Sequence, residues 1–130
     1  MEGTKFKVRI VGIIFDPKKR KILIGKDKGE KKYSFLEDDL DYNLELDKKL
    51  KKYIKEKTGY KVHNLGSVYA ENMLQRKDKL KIHFLCEATE GKEKPGKNVE
   101  ELLWIKPSKV EEKLDVKLPA RLHEYILNLE

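Results

Sequence analysis

Tyr33 to Tyr60, YSFLEDDLDYNLELDKKLKKYIKEKTGY, is the stretch that most restricts how this chain can fold. It reads as a loop, an amphipathic helix and a glycine stop. Asn43 stands where a short polar side chain can cap free backbone N–H groups, with Glu45 and Asp47 in the first turn. Leu46, Leu50, Tyr53 and Ile54 recur at helical spacing and predict one apolar stripe. Thr58-Gly59 ends the helix, because glycine tolerates a left-handed cap. Lys48, Lys51, Lys52 and Lys55 make a run of positive charge on the opposite side. The rest of the chain has to supply the surface that holds the stripe.

Strand-like segments surround this helix. Phe6 to Phe15 alternates and then turns almost continuously apolar (IVGIIF), which predicts a strand buried in part on both faces. Asp16-Pro17-Lys18-Lys19 predicts a turn, and Lys21 to Lys26 the returning hairpin strand. After the exposed loop Asp27 to Lys32, Tyr33-Ser34-Phe35-Leu36 predicts a short strand. Tyr60 to Gln75 carries strand material interrupted at Asn64 and Gly66, and Arg76-Lys77-Asp78-Lys79 is the expected turn into Leu80 to Ala88. Gly91 to Asn98, GKEKPGKN, is the most loop-like segment, too short for an interdomain linker. Val99 to Pro107 predicts a last strand, Ser108 caps a short helix through Leu114, and Pro119 opens a final helix with Leu122, Tyr125, Ile126 and Leu129 on one face.

Composition narrows the class. The chain has 130 residues, the size of one domain spanning 1–130 with a single core beside a sheet. Charged residues make up 41% and hydrophobic ones 38%, but the apolar positions are patterned, which argues against disorder. The formal net charge is +7, and of 30 basic residues only Arg9, Arg20, Arg76 and Arg121 are arginine, leaving 26 lysines. Lysine is a point charge, so this surface suits diffuse attraction better than bidentate reading of phosphates. Abundant Lys and Glu with few Gln, Cys and Met also fit the solvated surface of a heat-adapted protein. Cys86 is the single cysteine and alternates with Leu80, Ile82 and Phe84 like a core residue. The start MEGTKFK lacks the apolar run of a signal peptide, and no segment is long enough to span a membrane, so a cytoplasmic protein is expected. His63, His83 and His123 lack metal spacing and read as structural or surface residues, His83 lying opposite the core face of its strand.

Without a gap, the stretch resembles the Nudix box: Gly, five residues, Glu, seven residues, Arg-Glu, an apolar residue, any residue, Glu-Glu, any residue, Gly, an apolar residue. Anchored on Gly59, the first glycine falls on Asp38 and the first glutamate on Leu44. Arg-Glu falls on Lys52-Tyr53, the apolar position on Ile54, Glu-Glu on Glu56-Lys57 and the last apolar position on Tyr60. Of four family glutamates only Glu56 stands in register. Opening hairpin, box helix, later strands, the Glu100-Glu101-Leu102-Leu103-Trp104 strand and the Pro119 helix also follow the order of that family over nearly the whole chain. The resemblance implies an α/β/α sandwich around a mixed β-sheet.

In the family the box glutamates hold divalent metal against a diphosphate. Tyr53 and Lys57 lack the anionic oxygens that a hard Mg²⁺ requires. Tyr53 reads as a core filler. Lys57 has two readings: it reaches solvent, or it puts its own cation where metal charge would lie and holds a phosphate without activating water. Lys52 and Glu56 are spaced to pair along the helix. Lys26 ends the second strand where the family often has a basic substrate contact; the other reading is a solvated strand end. The ligand-binding set implied is therefore Lys26, Lys52, Tyr53, Glu56 and Lys57, with no metal ligand assigned. Lys48, Lys51, Lys52 and Lys55 are the candidate nucleic-acid face. The expected function is a Nudix-fold module that binds nucleotide, RNA or protein and has lost ordinary metal-dependent hydrolysis. The alternative is an active Mg²⁺-dependent hydrolase of nucleoside-diphosphate derivatives, with Glu56 catalytic and its other carboxylates displaced into the acidic run Glu37, Asp38, Asp39, Asp41, Glu45 and Asp47.

Overall fold

In the computed structural model, which describes residues 5–73 and 78–130, strand β1 (Lys7–Asp16) lies at the centre of the sheet. Residues 10–15 are buried, as the continuous apolar run requires. β2 (Lys21–Asp27) and β3 (Leu36–Leu40) share one edge of β1: β3 runs antiparallel beside residues 8–12 and β2 beside residues 14–16. Helix α1 (Leu46–Thr58) follows, then β4 (Tyr60–Asn72) and β5 (Lys79–Gly91). β5 lies parallel along the other edge of β1, from Lys7↔Lys79 to Phe15↔Glu87. β6 (Val99–Ile105) completes a mixed sheet of order β4-β5-β1-β2-β6, with β3 against β1. A 3₁₀ turn at Pro107–Lys109 leads into α2 (Val110–Leu114), and α3 (Ala120–Leu127) ends the chain.

Alternation along the strands builds two cores. Ile10, Ile14, Leu23, Phe84 and Cys86 meet Leu50, Tyr53 and Ile54 of α1. On the other face Val11, Ile13, Ile22 and Ile24 meet Val110, Leu114, Leu122 and Ile126 of α2 and α3. This is the α/β/α sandwich that the sequence predicts. Tyr53 pins α1 to the sheet: its hydroxyl lies 3.0 Å from the Ile10 carbonyl and 2.9 Å from that of Leu36, bridging β1 and β3.

Several local expectations change. Asn43 is not the helix cap. Its backbone N–H donates to Asp41 Oδ1 (2.9 Å) in a local turn, and α1 starts after an extended Glu45 with no side-chain cap. Ser108 caps no helix either, because Pro107 opens the 3₁₀ turn; Ser108 donates through its N–H and hydroxyl to the Glu130 carboxylate. The strand expected at Tyr33 shrinks to one bridge, Gly25↔Ser34, and the paired segment moves into the acidic residues 36–40. Gly66, at φ 120°, sits at a register shift, so β4 bulges there instead of stopping. Of the expected turn, Arg76 and Lys77 lie outside the described residues.

His83 is buried, at 4% exposure, because the face of β5 opposite Cys86 is a second core. Its ring meets Phe35 edge-on and leans on Tyr69, with Nδ1 3.3 Å from the Tyr69 carbonyl. Cys86 is buried as expected, and burial pushes its thiol up to about 12, which keeps it inert.

Two outcomes follow from this packing. Tyr53→Phe leaves the ring volume but removes the bridging hydroxyl, so it should lower stability by about 1 kcal/mol. Urea unfolding should show a lower midpoint with an unchanged slope. Burial also holds His83 below its usual 6.5. The unfolded chain therefore gains a proton that the native state resists, and stability should fall as pH drops from about 7 to 5. Subtracting the profile of His83→Gln isolates this slope; identical profiles would mean that His83 carries none of it.

Candidate functional site

The box helix turns two unlike residues toward β3. Tyr53 is core, as its apolar ring suggests, and burial holds its phenol neutral, well above the usual range. One turn later Lys57 is half-buried instead of reaching solvent. Its Nζ donates to the backbone carbonyl of Glu37 (2.9 Å) and lies 5.8 Å from the centre of the Tyr53 ring. The Glu37 carboxylate accepts from Arg9 Nε (3.0 Å) and Lys81 Nζ (3.5 Å), and Arg9 also reaches Asp39 (2.8 Å). Lys57 thus meets the backbone of Glu37, whereas Arg9 and Lys81 meet its carboxylate on the other face of the sheet, beside Val11. Burial alone would lower the Arg9 pKa, but its bonds to Asp39 and Glu37 outweigh burial and leave it raised. The same Arg9 bond holds Asp39 below its usual range.

The other predicted positions separate. Lys26 pairs with Glu101 (3.7 Å) and Glu100 (4.0 Å) and lies 5.6 Å from the Tyr33 ring centre. It is neither a free strand end nor a neighbour of the Lys57 contact; Tyr33 belongs to the core on the α2 and α3 side. The Tyr33 hydroxyl bonds Glu101, which lowers the pKa of that carboxyl and raises that of the phenol. Lys52 and Glu56 are both exposed and do not form the expected pair. The i,i+4 ion pair on α1 is Lys51 with Asp47 (3.0 Å), and Asp47 also accepts from Asn64 Nδ2. Lys49 pairs with Asp38 (3.5 Å), while Lys48 and Lys55 stay exposed.

Arg9, Glu37 and Lys81 were missed as a set. The signal was a basic residue between two apolar ones in each of two strands, Arg9 between Val8 and Ile10 and Lys81 between Leu80 and Ile82. Only the parallel register, Arg9↔Lys81, makes them neighbours.

These side chains do not fit a divalent cation. At the two box positions the Tyr53 oxygen is committed to backbone carbonyls, and Lys57 places an ammonium on the Glu37 carbonyl. Of the displaced acids, Glu37 and Asp39 are matched by Arg9 and Lys81, Asp38 by Lys49 and Asp47 by Lys51. Among the described residues no three His, Cys, Asp or Glu side chains gather as a metal-holding set. No helix of the described residues is long and apolar enough to cross a membrane.

The loop at residues 91–98 closes the far end of α1. Lys94 N–H donates to the Thr58 carbonyl and Gly96 N–H to that of Lys57, both at 2.9 Å. A Cβ on Gly96 would lie 1.8 Å from the Glu56 carbonyl oxygen, so only glycine lets the loop approach this closely.

No family model matches the sequence, and no curated protein matches it. Solved structures do match. A MutT described for Aliivibrio salmonicida and Vibrio cholerae superposes with TM-score 0.74 at 13% identity, covering 94% of this chain and 96% of that one. The MutT protein of Methanosarcina mazei gives 0.73 at 15% identity, over 99% and 96%. A UDP-X diphosphatase gives 0.71 at 17% identity, where the match covers 99% of this chain and 63% of the longer protein. Agreement over almost the whole chain, at identities this low, lies in the architecture, and the chain has the Nudix fold.

Proposed function

We propose that this protein binds a diphosphate-bearing nucleotide at the junction of α1 and β3, and that it does so without metal-dependent hydrolysis. The observation that carries the reading is the 2.9 Å contact from Lys57 Nζ to the Glu37 carbonyl. An ammonium has three donors, and this contact uses one. Among the described residues the Lys57 ammonium has no second hydrogen-bond or ion-pair partner, so its remaining donors can meet a phosphate. Arg9 and Lys81 hold the Glu37 carboxylate on the other face of the sheet, beside Val11. A fixed ammonium attracts a diphosphate but cannot lower the pKa of a bound water as a metal does. The matching UDP-X diphosphatase, named for a nucleoside-diphosphate substrate, favours that ligand class.

Calorimetry with ADP and with a UDP-sugar, in EDTA and again in Mg²⁺, tests this. Binding should persist in EDTA. Lys57→Met should weaken it about 10- to 100-fold, the effect of losing a charged hydrogen bond of about 1.5–3 kcal/mol. Lys57→Glu should weaken metal-free binding at least as much. Mg²⁺- or Mn²⁺-dependent turnover of nucleoside-diphosphate derivatives that disappears in Glu56→Gln would overturn the reading in favour of a hydrolase.

A further inference from the structure

The outer side of α1 carries a different signal from its inner side. α1 holds six lysines against Asp47 and Glu56, and the loop at 91–98 holds three lysines against Glu93. These two segments therefore carry a net +6 of the chain's +7. Lys48, Lys52 and Lys55 are exposed on the helix, and Lys92, Lys94 and Lys97 on the loop. The loop is held to the helix by the Lys94 and Gly96 backbone bonds, so both sets of charges form one surface.

That surface ends at an aromatic pocket. Tyr60, directly after Gly59, stands edge-on to Trp104, with ring centres 5.6 Å apart. Glu93 of the same loop accepts from Trp104 Nε1 (3.0 Å) and from the Tyr60 hydroxyl (3.3 Å), which fixes both rings. Between these rings, the hairpin residues Lys18 and Lys19 and the end of β5 lies a cavity of about 400 Å³. The last pair between β1 and β5 is Phe15↔Glu87, so beyond it β5 has no strand on that side and its backbone edge faces the cavity. Asp16, Glu87 and Glu90 also line the cavity. They repel phosphate, but an uncharged base is free to enter and meet the strand edge.

We propose that this surface binds single-stranded nucleic acid, the lysines of α1 and the 91–98 loop holding the backbone and the Tyr60–Trp104 pocket taking one unpaired base. A cationic track beside aromatic rings is the combination that single strands need. Paired bases cannot enter the pocket, which disfavours a duplex. Lysine point charges cannot read base edges bidentately, so sequence preference should be weak. The site uses the outer face of α1 and not the Lys57 contact, so it stands or falls apart from the nucleotide reading.

Trp104 is the only tryptophan and reports on the pocket. A short oligothymidylate, the matching duplex and inorganic polyphosphate are each titrated into the whole protein at about 50 and 200 mM salt. Oligothymidylate should bind, quench Trp104 and lose affinity steeply with salt. Polyphosphate should compete for it without quenching. The double variant Lys52→Glu, Lys55→Glu should weaken binding at least tenfold while its thermal unfolding stays close to the parent's. Tyr60→Leu should reduce both affinity and quenching, read by anisotropy of a labelled strand. No binding at the lower salt would overturn the proposal. So would equal affinity for the duplex, or binding only to phosphatidylserine vesicles, which would mark a membrane-surface patch.

Discussion

Ile54 rests on the backbone of β1 where residue 12 has no side chain. A Cβ at Gly12 would lie 2.8 Å from Ile54 Cδ1, so the glycine sets how closely α1 approaches the sheet. That approach brings the Tyr53 hydroxyl within reach of carbonyls on both β1 and β3. Burial of Leu50, Tyr53 and Ile54 supplies the driving force, about 1.5–3 kcal/mol for each large side chain. The hydroxyl adds less energy but more definition, since it ties the helix to two strands at once. With the helix this close, Lys57 reaches the Glu37 carbonyl.

The charges around Glu37 depend on that arrangement. β3 is an unusual strand: three of its five residues are acidic, LEDDL. It is tolerated because Glu37 and Asp39 project toward Arg9 and Lys81 while Asp38 meets Lys49. Leu36 and Leu40 meanwhile pack with the α1 core. Exposed ion pairs of this kind contribute little to stability, roughly 0–1 kcal/mol each. Their effect lies in matching each acid of the strand with a cation: Arg9 and Lys81 at Glu37, Arg9 at Asp39 and Lys49 at Asp38.

α1 consequently has two chemically distinct sides. The inner side offers one ammonium held by the fold, suited to a compact ligand. The outer side offers exposed lysines joined to those of a loop whose Gly96 packs directly on the Glu56 carbonyl. The Lys51–Asp47 pair removes one lysine from that outer set. Separation by a single helix thickness lets the two surfaces be altered independently.

Much of the architecture was legible from the chain itself. Local chemistry determined the IVGIIF strand, the Asp16-Pro17 turn, the apolar stripe of α1, the left-handed stop at Gly59 and the helix after Pro119, because each depends on neighbours in sequence. The aromatic ring of Tyr53 likewise marked it as core. Pairing between distant segments decided the rest. Arg9 and Lys81 become partners only through a parallel register across 72 positions of chain, and Glu37 enters their set only because β3 takes half of one edge of β1. His83 looked outward while one face of β5 was assumed wet; α3 and its neighbours put a second core there. Asn43 lost its capping role to a local turn at Asp41, and Lys57 acquired one carbonyl partner out of many that its flexible stem could reach. Periodicity records which side of an element is apolar, but which side chain meets which across the sheet is settled only when the strands choose their edges.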